Sequence, residues 1–172
     1  YINNAGFSEW RPIKKIDLNF LNKIINTNLI SYFWGCKIAI NCMSSGGSII
    51  NISSIAGKRG SKNNSAYSAT KFAINGLTQS LSKEIGIKNI RINAICPVLV
   101  KTPGLLKALI SKHSPAKGSA DKFLRDFTKS QTALNRLPTA LEIAKSCYYL
   151  SSNEASAITG QCINVDCGVF PQ

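Results

Sequence analysis

Apolar positions along this chain fall into two alternating kinds of run. Across residues 17–43, Leu18, Leu21, Ile24, Ile25, Leu29, Phe33 and Trp34 recur every three or four positions, the period of a helix. The next run, Gly47-Ser48-Ile49-Ile50-Asn51-Ile52-Ser53-Ser54, is short and almost continuously apolar. That pattern suits a strand at 48–53 in a parallel sheet covered on both faces. A helix over about 66–86 follows, then a buried strand at 90–95 stopped by Pro97. A helix over about 139–152 turns Leu141, Ile143, Ala144, Cys147 and Leu150 inward, and 162–165 reads as a last strand. Strands and helices alternating in this way predict an α/β fold, a doubly wound parallel sheet. One stretch breaks the alternation. Residues 103–138 hold two short helical patterns, Leu105, Leu106, Leu109 and Ile110, then Phe123, Leu124 and Phe127. The polar link 112–119, which contains Pro and Gly, joins them.

Chemistry enters at the carboxyl end of the first long strand, where Ser54 closes the apolar run. In open α/β sheets ligands bind beyond the carboxyl ends of strands, and a Gly/Ser/Asn-rich connection leads from Ser54 to the helix bearing Tyr67 and Lys71. Residues four apart lie on one helix face, so the phenol and the ammonium can point into one site. A phenol with an ordinary pKa of about 10 needs roughly 4 kcal/mol of preference for phenolate to act as a base near pH 7. A unit charge about 5 Å away supplies around 3 kcal/mol at an effective dielectric of about 20. Lys71 therefore reads as the group that sets the Tyr67 pKa, and the Ser54 hydroxyl as the one that holds a substrate oxygen against the phenol.

These residues lie within a longer series of motifs. Asn3-Asn4-Ala5-Gly6 is followed by Thr27-Asn28-Leu29, Asn51-Ile52-Ser53-Ser54 with Ala56-Gly57, Tyr67-Ser68-Ala69-Thr70-Lys71 and Arg91-Ile92-Asn93-Ala94-Ile95-Cys96-Pro97 running on to Thr102. Ile158-Thr159-Gly160-Gln161, leading to Val165-Asp166-Cys167-Gly168, completes it. In this order the motifs resemble the carboxyl-terminal two thirds of a short-chain dehydrogenase/reductase, a family with a Rossmann-type sheet. The resemblance implies an oxidoreductase that uses NAD or NADP to interconvert an alcohol and a ketone or aldehyde. It makes Ser54, Tyr67, Lys71 and Asn28 the catalytic set, with a helix kink at Asn28 holding a water in the proton relay to Lys71. It makes Asn4, Tyr67, Lys71, Val100 and Thr102 cofactor contacts. Residues 103–138 become a lid over a small-molecule substrate, and the two long helices become the seam of a homodimer or homotetramer. Cys167 and Val98 stand where the family commonly has glycine.

The chain opens on Tyr1 at the Asn-Asn-Ala-Gly turn. On the resemblance, it is expected to be one partial domain over 1–172, without the amino-terminal strands, the glycine-rich phosphate cradle or the residue that selects NAD or NADP. Such a piece is expected to be inactive alone. The other function class is a non-catalytic relative serving as a binding or scaffold protein, which would be expected to have lost Tyr67 or Lys71.

Composition changes this picture little. The formal charge is +13, but the cations are scattered from Lys14 to Lys145 instead of clustered or interleaved with aromatics, so nucleic acid is not expected as a partner. Lys107, Lys112, Lys117 and Lys122 could favour an anionic substrate, but charge runs are usually solvated and these read as solvated first. No apolar run is long enough to span a membrane, and the cytoplasm is the default location. Cys36, Cys42, Cys96, Cys147, Cys162 and Cys167 read as reduced core thiols. With one histidine, His113, and no Cys-x-x-Cys, no metal site is expected.

Overall fold

The computed structural model describes residues 1–171. Ile2–Asn3 (β1) leads through a loop to Leu18–Ile25 (α1), which Asp17 caps by accepting from the Phe20 amide at 2.8 Å. Ser31–Cys42 (α2), Gly47–Ile52 (β2), Ser65–Ile85 (α3) and Ile90–Pro97 (β3) follow. Pro103–Leu109 (α4), Ala120–Gln131 (α5), Ala140–Ser151 (α6) and Cys162–Val165 (β4) complete the chain. All strand pairs are parallel and the spatial order is β1-β2-β3-β4, with Ile50 paired to Ile2 on one side and Asn93 on the other. This is a Rossmann-like α/β sheet.

Both faces of the sheet are covered, as the continuous apolar runs require. Ile49, Ile90 and Ile92 pack with Cys36, Ala39 and Ile85 from α2 and α3. Ile50 and Ile95 point the other way, against Cys147 and Leu150 of α6 and Ala155 beyond it. Each fully buried isoleucine contributes about 1.5–3 kcal/mol, so these two layers are the chief hydrophobic support of the sheet.

Several expectations need correction. The helix expected across 17–43 is interrupted by a π-helical turn at Asn26–Ile30, where the Ser31 amide reaches back to the Asn26 carbonyl. Within α6, Leu141 and Ala144 are exposed, because Ile143, Cys147 and Leu150 already form the stripe that meets the sheet. Leu18, Phe33 and Trp34 also face outward, so a helical period in the sequence did not mean a core position there. Only Cys36, Cys96 and Cys147 are buried; Cys42 is exposed, and all six are free thiols. His113 is half-buried, and its ring nitrogen lies 3.5 Å from the Lys15 ammonium. Cys167 has φ +55°, the left-handed region where glycine is at ease. Among the described residues no helix is long and apolar enough to cross a membrane, and no group of three or more metal-ligating side chains occurs.

Candidate active site

Beyond the end of β2 the backbone at Ser54 is extended, and its hydroxyl accepts from the Ala56 amide at 3.0 Å, capping a short turn at Ile55–Gly57. That turn is pressed onto α3. A Cβ on Gly57 would come within 2.6 Å of the Lys71 carbonyl oxygen, so only glycine allows the approach. Asn75 donates to the Gly57 carbonyl at 2.9 Å, and the Ser53 hydroxyl donates to the Lys71 carbonyl at 3.2 Å. Ser54 is thereby fixed over the turn of α3 that carries Tyr67 and Lys71.

All three side chains line one cleft of about 1350 Å³. Tyr67 is half-buried. Burial pushes its phenol pKa up, while a hydrogen bond with the Ser54 side chain pulls it the other way. Lys71 is 4% exposed, and desolvation lowers its pKa from 10.5 to about 8. Its ammonium donates to the Ile52 carbonyl at 2.7 Å and lies 5.8 Å from the centre of the Tyr67 ring. The direction found for Tyr67 therefore differs from the sequence expectation. With Lys71 turned onto a strand carbonyl, burial dominates the phenol and the cation does not bring it below its ordinary value.

Asn4, Val100 and Thr102 line the same cleft. Thr102 caps α4, accepting from the Leu105 amide at 3.2 Å with Pro103 in the first turn, and its own proton stays available to donate. Asn28 lies behind the cleft wall, fully buried within the π-helical turn. Its amide accepts from the Phe7 nitrogen at 3.0 Å and donates to the Phe7 oxygen at 2.8 Å, so it holds the segment after Gly6 in place. A Cβ at Gly6 would sit 3.3 Å from the Asn28 oxygen and 3.8 Å from the Lys71 ammonium, so glycine keeps the backbone close to both.

The 103–138 segment lies over this opening. Ala108, Leu109, Ala116 and Leu124 gather around Trp10, a residue that sequence reasoning passed over. Its signal was available only as a lone tryptophan in a polar loop. The segment is tied down where Asn63 donates to the His113 carbonyl at 3.0 Å. Lys107, Lys112 and Lys117 line the cleft, whereas Lys122 does not. Tyr32 was also missed. It is 1% exposed, and its hydroxyl donates at 3.0 Å to the same Ile52 carbonyl that holds Lys71. Nothing in the spacing of the sequence connects it to Lys71.

The residues along the cleft fit the nicotinamide half of a dinucleotide. Tyr67, Lys71 and Thr102 offer hydrogen-bond donors suited to ribose hydroxyls and a carboxamide, and the glycine at position 6 leaves space beside the ammonium.

Comparison with known proteins gives a consistent picture. A family model described as Enoyl-(Acyl carrier protein) reductase matches residues 1–170. The 3-oxoacyl-[acyl-carrier-protein] reductase FabG of Chlamydia muridarum is 36% identical over 170 residues, which are 98% of this chain and 64% of that protein. A 3-alpha-(or 20-beta)-hydroxysteroid dehydrogenase of Mycobacterium tuberculosis is 37% identical over 97% of this chain and 58% of its own length. The chain thus spans less than two thirds of these curated relatives. Among solved structures, ligand-free aldohexose dehydrogenase from Thermoplasma acidophilum superposes with a TM-score of 0.88 at 32% identity, covering 99% of this chain and 70% of that one. ElxO with NADP bound gives 0.85 at 33% identity, over 99% of this chain and 66% of its own.

Proposed function

Since the chain belongs to the short-chain dehydrogenase/reductase family, we propose that it carries the catalytic part of an NAD(P)-dependent oxidoreductase that interconverts an alcohol and a ketone or aldehyde. The observation behind this reading is that Ser54, Tyr67 and Lys71 line one cleft. ElxO, a structural neighbour, holds NADP, which supports the choice of cofactor.

In this account the nicotinamide supplies the hydride acceptor or donor. Tyr67 and Lys71 would hold its ribose, Val100 and Thr102 its carboxamide, and Asn4 the ribose on the adenine side. The chain's own residues handle the proton and the geometry. Ser54 donates a hydrogen bond to the substrate oxygen and keeps it against the Tyr67 hydroxyl. In alcohol oxidation Tyr67, as phenolate, takes the hydroxyl proton as the C–H bond gives up its hydride; in carbonyl reduction it returns that proton to the oxygen. Lys71, within 6 Å of the ring centre, favours phenolate once its charge is turned toward the cleft. Asn28 sits in the π-helical turn, a distortion of the kind common at functional sites, and on this reading it would hold a water in the relay to Lys71. The lid at 103–138 excludes bulk water and supplies the apolar wall.

An assembly accompanies this reading. Ile30, Phe33, Trp34 and Ile38 stand exposed on α2, with Phe72 on α3, and a two-fold contact would bury them in a homodimer or homotetramer.

Tyr67→Phe in the full-length protein tests the chemistry. The ring's packing remains and only the ionisable hydroxyl is lost, so nicotinamide-cofactor binding should survive, weakened by no more than the one ribose hydrogen bond, while turnover of a carbonyl substrate falls by at least about a hundredfold. Turnover above about a tenth of the parent would refute the assignment.

A further inference from the structure

Tyr32 stands outside the set of residues just assigned, yet two of its groups meet the Lys71 ammonium. Its hydroxyl and that ammonium donate to one acceptor, the Ile52 carbonyl, at 3.0 and 2.7 Å. Its ring centre lies 5.1 Å from the Lys71 nitrogen, nearer than the Tyr67 ring at 5.8 Å. Resting on the reading of Lys71 as the cation beside the base, we propose that Tyr32 is a positioning residue for Lys71. Its ring face carries the buried ammonium, and its hydroxyl lets Lys71 leave the Ile52 carbonyl without orphaning it.

The physical case has two parts. A desolvated ammonium is attracted to the negative face of an aromatic ring, which offsets some of the burial that holds Lys71 well below the usual lysine range. Besides Tyr32, the titratable groups near Lys71 are Tyr67 on its own helix and the Cys96 thiol on β3. Neither is ionised at neutral pH, since burial pushes both upward, Cys96 to about 11. The ring of Tyr32 is then a main source of support for the charge. The second part concerns the acceptor. A buried carbonyl abandoned by its only donor is costly, and cost of that kind would hold Lys71 on the strand. With Tyr32 still donating, the carbonyl stays satisfied when the ammonium swings into the cleft that it already lines.

The two parts predict opposite shifts in two variants. Tyr32→Phe keeps the ring and removes the competing donor, so the Ile52 carbonyl grips the ammonium harder and the Lys71 pKa rises by roughly a few tenths of a unit. Tyr32→Leu removes the ring, and the pKa falls by roughly one unit. Side-chain NMR titration of lysine-labelled chain without cofactor reads both, with Lys71→Arg identifying the resonance. Opposite shifts support the proposal. Equal shifts in the two variants, or a change of less than about 0.2 unit in both, would overturn it. If Tyr32→Leu does not fold, Tyr32→Phe decides alone, because a fall or no change contradicts the shared acceptor. A parallel fluorescence titration of the full-length protein with NADPH and with NADH should show affinity roughly tenfold weaker in Tyr32→Phe for the dinucleotide the parent binds, and unchanged affinity would remove the release role. Binding of neither dinucleotide by the full-length parent would instead count against the functional reading, while the pKa comparison would still test Tyr32.

Discussion

Lys71 sits in a place that is poor for folding, and the cost can be measured through its pH dependence. Its pKa is 10.5 in ordinary surroundings and about 8 when folded, with desolvation as the principal cause. The unfolded chain therefore holds this proton more tightly. Between the two values it carries more protons than the folded chain, so this group makes stability rise as pH rises through that window. The penalty for keeping the charge in place is about 3 kcal/mol near pH ~7 and has shrunk by about 2 kcal/mol near pH ~9.5. Lys71→Met removes the charge and keeps an unbranched side chain of similar reach. It leaves no orphaned acceptor, because the Tyr32 hydroxyl still donates to the Ile52 carbonyl. The variant should be more stable than the parent by about 2–3 kcal/mol near pH ~7, with the gap closing to about 1 kcal/mol near pH ~9.5. Urea denaturation followed by fluorescence of the buried Trp10 provides the assay, repeated across that pH range. Buried phenols and thiols oppose the rise above pH ~9, but they do so in both proteins and largely cancel in the difference. Parallel curves, or a parent more stable throughout, would refute the reasoning that Lys71 is charged, desolvated and costly.

The same substitution should weaken NADPH binding and move the basic limb of the pH profile of alcohol oxidation upward; an unmoved profile would mean that Lys71 only positions the ribose. At Cys167, φ +55° costs a side chain on the order of 1 kcal/mol, so Cys167→Gly should raise stability by about that much, read as a shift in the urea midpoint. No stabilisation would mean that side-chain contacts offset the strain. Replacing Phe33 and Trp34, both about half exposed on α2, with glutamate should convert a dimer or tetramer to monomer in sedimentation at micromolar concentration. A parent that is already monomeric would remove the assembly claim.

The sequence by itself determined the elements and the chemistry along them. Continuous isoleucine runs can be satisfied only by a sheet covered on both faces, and β2 and β3 formed where those runs lie. The four-residue spacing from Tyr67 to Lys71 is local geometry of α3, and the threonine before Pro103 is a local cap of α4. Each of these follows from interactions within a few residues. The tertiary structure decided which way side chains turned and what they met. Leu141, Phe33 and Trp34 have helical spacing but face outward, because other residues of the same helices already occupy the contact with the sheet. Trp10 joined the apolar cluster of the 103–138 segment, packing with Ala108, Leu109, Ala116 and Leu124 from far along the chain. The Lys71 ammonium was placed by a strand carbonyl and by the ring of Tyr32 on another helix. Burial there reversed the expected direction of the Tyr67 pKa. A pKa depends on every charge, dipole and solvent molecule within several ångströms, whatever their separation along the chain, so spacing can nominate an acid or base while only the packed structure sets its strength.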